Sequence, residues 1–236
     1  MTEQEGRCPW CGTDPLYVEY HDTVWGRPEY DSLALFEKLC LDGQQAGLSW
    51  ITILRKQESY RAAYDQFQPE KIARYTEQDI QSILANPGVI RNRLKVESII
   101  RNARSYLEMQ EKGDNFSDFL WSFVDGRPIQ NHWRVFADVP ATTPESEAMS
   151  RALKKKGFNF VGPTLVSALN QATGRVNDPP TRRPPPSAPV RGQARPVAPH
   201  PSSKAAQRGF PGMPLLTQTI KYPVQSLPVL EFFAIG

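Results

Sequence analysis

The stretch "LANPGVIRNRLKVESIIRNAR", residues 84–104, decides how the chain is read. An apolar helical run ends at an Asn-Pro-Gly turn, and a second helix restarts within a few residues. Leu94, Ile99, Ala103 and Tyr106 are expected on roughly one side of it. Such a turn leaves backbone N–H groups unpaired beside a helix N-terminus, a setting that suits a phosphate oxygen. Gly88 permits the close approach, while Arg91, Arg93 and Lys95 add charge that binds a polyanion without regard to sequence. A solvated helical corner carries many of the same residues, so this stretch alone does not fix a function.

Working outward, the first 178 residues read as all-α. Asp31 or Ser32 caps a helix whose apolar face is Leu33, Leu35, Phe36 and Leu39 and which is expected to end at Gly43. A second helix, with Leu48, Ile51 and Leu54, is expected to start near Ala46. Pro69 opens a further helical turn. Thr76 to Asp79 has the form of a capping box ahead of Ile80, Ile83 and Leu84. "FSDFLWSF" is a short aromatic helix closed by the "DGRP" turn. Thr143-Pro144-Glu145 starts a helix that ends at Lys154, Lys155 and Lys156 before Gly157. "PTLVSALNQATG" is the last helix, and no set of alternating strands is evident.

Beyond Asp178 the composition changes. Residues 1–178 carry 21 Lys/Arg against 24 Asp/Glu, whereas residues 179–236 carry 7 against 1 and hold 13 of the 22 prolines. Proline at that density supports neither a helix nor a central strand, so 179–236 is read as a disordered basic tail following a domain of residues 1–178. The polar start "MTEQEGRC" has no secretory pattern, and no apolar run approaches the ~20 residues of a membrane span. Three cysteines make no disulfide framework, which fits a cytoplasmic protein.

Three groups of residues could carry chemistry. "LCLDGQQAGLSW", residues 39–50, places Asp42, Gly43, Gln44, Gln45, Gly47, Leu48 and Trp50 at a helical junction. It is either a plain corner or a loop shaped to touch a ligand. Tyr17, Tyr20, Trp25 and Trp50 are each ordinary core residues singly. Together around an acid-bearing loop they would line a slot for a flat cation, through stacking and cation–π attraction. Cys8 and Cys11 followed by His21 could supply metal ligands, but no second cysteine pair or histidine pair completes a set.

These stretches together resemble the constitutive bacterial 3-methyladenine DNA glycosylases. The resemblance rests on "RCPWCGTDPLYVEYHDTVWGRPEYDS", "LFEKLCLDGQQAGLSWITILRK", "VIRNRLKVESIIRNARSYL", "FLWSF" and "ALKKKGFNFVGPT", and it covers about residues 7–178. It implies a helix–hairpin–helix fold with a cleft between two helical subdomains. The implied activity is hydrolysis of the N-glycosidic bond of 3-methyladenine by a monofunctional, base-flipping enzyme. The implied partner is double-stranded DNA containing alkylated adenine, bound by a monomer with no membrane involved. Methylation at N3 makes the base cationic and already a good leaving group, so recognition matters more than acid catalysis.

On this resemblance Tyr17, Tyr20, Trp25 and Trp50 surround the base, with Gln45 and Leu48 in the adjoining loop. Gly88, Arg91, Arg93 and Lys95 face DNA, and Asp42 is the catalytic-site carboxylate that reads the exocyclic amino edge. The family usually has Glu there, one methylene longer. No nucleophile and no lyase-type lysine are expected. The family's structural zinc would find its N-terminal ligands in Cys8 and His21, with Cys11 as a further candidate. Its C-terminal pair falls at Pro179 and about Arg183, which cannot ligate, and a frameshifted or replaced C-terminus would explain so abrupt a break. An impaired, non-catalytic DNA-binding relative is therefore the alternative. An endonuclease-III-like glycosylase/lyase is disfavoured by the missing iron–sulfur cysteines.

Overall fold

The computed structural model describes residues 7–133 and 138–178. The tail 179–236, with Pro179 and Arg183, lies outside the described residues.

Ten α-helices form the described part: α1 Pro15–Thr23, α2 Ser32–Gln45, α3 Trp50–Leu54, α4 Gln57–Ala63, α5 Pro69–Ile72, α6 Glu77–Ala85, α7 Arg93–Glu111, α8 Phe116–Trp121, α9 Pro144–Lys155 and α10 Pro163–Ala172. Two-residue strands β1 (Ile129–Gln130) and β2 (Val176–Asn177) make one small parallel bridge, which the all-α reading did not foresee. α2 packs against α3 and α7 and also against α8 and α10, so it joins the middle helices to the C-terminal ones.

Several helix ends follow directly from local chemistry. The Asp31 carboxylate caps α2 by accepting from the N–H groups of Leu33 (3.0 Å) and Ala34 (2.8 Å). Asp79 closes the box at α6 by accepting from the Thr76 N–H at 2.7 Å. Thr143 caps α9 in the same reciprocal way with Ser146. α9 ends in basic residues ahead of Gly157, whose φ of +93° is left-handed.

Three expectations are corrected. α2 does not stop at Gly43 but runs on to Gln45, and the left-handed residue that ends it is Gly47, at φ +76°. Gly43 has a packing role instead, because a Cβ there would lie 3.1 Å from the Phe160 Cβ. The next helix starts at Trp50 after Ser49, not near Ala46. Leu33 and Leu94 are exposed rather than buried. Leu94 lies five residues before Ile99, about 140° around the helix from the buried row of Val96, Ile99, Ile100 and Ala103.

Candidate active site

The N-terminal end of α1 is held by Asp14, which accepts from the N–H groups of Leu16 and Tyr17. The three-residue spacing of Tyr17 and Tyr20 then points both rings toward one aromatic cluster. Its hub is Trp10, a residue the sequence reading did not single out. Trp10 lies 5.0 Å from Tyr17, 6.5 Å from Tyr20 and 5.3 Å from Trp25 between ring centroids. Trp25 also stacks on His21 at 5.7 Å with an interplanar angle of 14°. Trp50, only 1% exposed, extends the cluster through Tyr20 at 5.5 Å.

A cleft of about 630 Å³ opens beside this wall, between α1, α2, α3 and the end of α10. Tyr20, Lys38, Leu41 and Trp50 line it. Tyr17 and Trp25 pack around Trp10, while Gln45 is buried and Leu48 packs against the core from a half-buried position. The slot wall is therefore narrower than the sequence suggested, with Tyr20 and Trp50 as its aromatic face.

Asp42 is buried on α2 next to this wall. One oxygen accepts from the Lys38 ammonium one helical turn back, and Oδ2 has no partner among the described residues. Burial pushes the Asp42 carboxyl up, against the opposing pull of Lys38 and, more distantly, of Arg175. Burial likewise pushes the Lys38 ammonium down, against the attraction of Asp42. Lys38 was not anticipated as a site residue; its i, i+4 spacing to Asp42 was the available signal.

Arg175 was also unforeseen. It is fully buried, donates through Nε to the Asn170 Oδ1 at 2.9 Å, and stands 5.8 Å from the Trp121 ring. Its terminal nitrogens have no partner among the described residues, and burial holds its guanidinium down to about 9. The buried Asp42 carboxylate and the buried Arg175 guanidinium thus attract each other through the protein interior, each with side-chain atoms left without a partner among the described residues.

The hairpin between α6 and α7 differs from the expected open anion site. The Gly88 N–H donates to Asn86 Oδ1 at 2.8 Å and the Ile90 N–H donates to the Tyr60 hydroxyl at 3.0 Å. Gly88 is needed for closeness, since a Cβ there would lie 2.7 Å from the Ser59 Cβ. The first-turn donors of α7, at Arg93 and Leu94, remain without intrahelical acceptors. Arg91 is exposed, whereas Arg93 is held by Glu77 at 2.6 Å and Glu97 at 2.6 Å. Lys95 turns inward, at 7% exposure, and donates to the carbonyls of Gln44 and Ala46, both at 2.7 Å. Its charge stabilises the C-terminal end of α2 rather than facing solvent.

One hydrogen-bonded chain connects the hairpin to the loop after α2. From Ile90 it passes through the Tyr60 hydroxyl to Gln44 Oε1 at 3.2 Å, and Gln44 Nε2 donates to the Lys95 carbonyl at 3.0 Å. The turn and the pocket loop are therefore positioned as one unit.

The residues for a zinc do not form a closed set. His21 Nε2 accepts from the Cys8 N–H at 3.2 Å, which places the ring proton on Nδ1, 2.8 Å from Asp22. Cys11 Sγ donates to the Cys8 carbonyl at 3.2 Å. Among the described residues no cluster of three or more His, Cys, Asp or Glu side chains could hold a metal ion. Cys8 and His21 are neighbours, as expected, but a tetrahedral site needs donors that Pro179 and Arg183 cannot provide.

The family model for methyladenine glycosylase matches residues 10–182. Over 172 residues the chain is 54% identical to a DNA-3-methyladenine glycosylase of Haemophilus influenzae, covering 73% of this chain and 93% of that protein. It is 51% identical over 172 residues to DNA-3-methyladenine glycosylase 1 of Escherichia coli, covering 73% of this chain and 92% of that one. A solved variant of 3-methyladenine DNA glycosylase I in complex with 3-methyladenine is 39% identical, with a TM-score of 0.73, covering 76% of this chain and 96% of the other.

Proposed function

The chain belongs to the methyladenine glycosylase family, and from that premise we propose how its cleft releases 3-methyladenine from alkylated DNA. It is a hydrolase of N-glycosyl bonds. The observation that carries the reading is the wall of Trp50 and Tyr20, 5.5 Å apart, beside the buried carboxylate of Asp42.

The extruded base stacks on Trp50 with Tyr20 against it, which favours an electron-poor, cationic ring over normal adenine. Asp42 accepts from the exocyclic amino group, a charge-assisted bond that leaves the methylated N3 unopposed. Water attacks the sugar carbon as the bond to the base breaks, the bonding pair neutralises the departing base, and the proton shed by the water passes to solvent. No protein nucleophile is assigned. Double-stranded DNA lies along the α6–α7 hairpin, where Arg91 and the first-turn N–H groups of α7 meet phosphate, and half-buried Leu48 in the loop after α2 is nearest the gap in the duplex, with Gln45 buried behind it. The enzyme works as a monomer in the cytoplasm. A zinc bound at Cys8 and His21 would be structural and outside the reaction.

Incubating the purified chain with methylated duplex DNA, with and without added zinc, and identifying the released base tests this reading. Release of 3-methyladenine, sharply reduced in Trp50→Ala and Asp42→Asn, is the expected result. DNA binding with no base release in either condition would identify an impaired, non-catalytic relative instead.

A further inference from the structure

The Lys38 ammonium lies 3.7 Å from the centroid of the Trp50 ring and is also the hydrogen-bond donor to Asp42. A cation stacked on the tryptophan and bonded to the carboxylate makes the same two contacts that the reading above assigns to a methylated adenine. Lys38 lines the cleft, whereas Asp42 is sealed beneath it with a side-chain exposure of 3%. We propose that Lys38 is a built-in occupant of the base slot, displaced by the extruded cationic base and returning to expel the neutral one. The inference rests on the glycosylase reading, because it takes 3-methyladenine as the ligand.

The charge balance of the reaction supplies the direction. The nucleotide enters as a cation, tethered by its DNA, which gives it a high effective concentration against a single side chain. When the bond to the sugar carbon breaks, its electron pair stays with the base, and the base becomes neutral. A neutral ring loses most of its cation–π attraction to Trp50 and its charge complement to Asp42, while the ammonium keeps both. Lys38 therefore competes weakly with substrate and strongly with product. Its route is short: the side chain is 16% exposed at the cleft, and Glu19 lines the same cleft as a counter-charge for the displaced ammonium. A long aliphatic stem allows that movement by rotamer change alone.

The test compares the full-length chain with Lys38→Met and Lys38→Gln. Titration with free 3-methyladenine, followed by tryptophan fluorescence, is expected to show binding at least about tenfold tighter in both variants. On methylated duplex the ratio of steady-state to single-turnover rate is expected to fall at least about threefold in the variants, because release of product becomes limiting. Lys38→Gln, which keeps a hydrogen-bond donor for Asp42, decides the matter if Lys38→Met, which keeps none, fails to fold. Unchanged or weaker base binding by folded variants of an active enzyme overturns the role of Lys38 alone. Failure of all three proteins to release or bind 3-methyladenine overturns the glycosylase reading and this inference together.

Discussion

Lys95 and Gln44 clasp each other across the junction of α7 and α2: the lysine Nζ donates to the Gln44 carbonyl at 2.7 Å, and Gln44 Nε2 donates to the Lys95 carbonyl at 3.0 Å. The ammonium also serves the Ala46 carbonyl, so two helix-end acceptors depend on it. Lys95→Met is therefore expected to cost about 1–3 kcal/mol of stability. It leaves the salt dependence of DNA binding unchanged. Exposed Arg91 is expected to behave in the opposite way. Arg91→Ala keeps its melting temperature and reduces the slope of log affinity against log salt by about 1. A slope change in Lys95→Met without loss of stability would return Lys95 to the DNA face.

Asp42 tests how the pocket reads its ligand. Asp42→Asn keeps the shape and replaces an acceptor-only carboxylate with an amide, so base release from methylated duplex is expected to fall about 10- to 100-fold, the range of one charge-assisted bond. Because the amide leaves the largely buried Lys38 ammonium without its counter-charge, the melting temperature is also expected to fall. Asp42→Glu keeps the charge and adds one methylene, and is expected to retain release. Comparing single-turnover rates with melting curves checks this, and full release by Asp42→Asn would exclude the carboxylate from recognition.

What could be read in the sequence follows how local each interaction is. The caps at Asp31, Thr76 and Thr143 need only residues three apart, and all three were legible. The spacing of Tyr17 and Tyr20, with Trp25 and Trp50, announced an aromatic wall. The hub at Trp10 depends on a 3-10 turn, Pro9–Cys11, folding back over α1, and no periodicity reports that. Gly43 read as a helix stop because its real reason, contact with Phe160, lies more than a hundred residues away. Lys95 looked like a phosphate contact for the same reason: its acceptors are on another helix. Lys38 was the legible residue left unread, since four-residue spacing to Asp42 put them on one helical face from the start.

Glu77 and Arg93 pin α6 to α7 across the hairpin, and this contact has a pH signature. The Arg93 guanidinium holds the Glu77 carboxyl down to about 2 from its ordinary 4.5, with a second bond from Gln81. A carboxyl whose folded value is depressed contributes stability above its unfolded value and loses it as pH falls through the folded one. The contribution is therefore complete above about pH 5 and disappears toward pH 2. Both groups are exposed, so the effect is small and screened by salt. Glu77→Gln is expected to melt slightly below the parent chain at pH 7 in low salt, with the two curves converging toward pH 2. A constant gap across that window would mean the pair is not the source of the difference.

Asp178 anchors the C-terminal end of the described residues. Its carboxylate accepts from Asn131 Nδ2 at 2.6 Å, Trp133 Nε1 at 2.7 Å and Gln171 Nε2 at 2.9 Å. The parallel bridge pairs Ile129 with Val176 and Gln130 with Asn177 immediately before it. The N-terminal segment is tied to the same end, since the Gly26 N–H donates to the Ala172 carbonyl at 3.0 Å and the Glu29 N–H donates to the Thr173 carbonyl at 3.2 Å. Gly174, at φ +67°, lets that approach occur, because a Cβ would stand 2.4 Å from the Pro28 nitrogen. Hydrogen bonds thus join the two ends directly. Asp178→Ala would leave three partly or fully buried donors without acceptors, at a cost of about 3 kcal/mol or more. A strong chelator is expected to leave the melting temperature of the parent chain unchanged. Scanning calorimetry on the parent, the parent with chelator and Asp178→Ala separates these contributions. A chelator-induced drop as large as that of the substitution would show that zinc, and not Asp178, fastens the two ends.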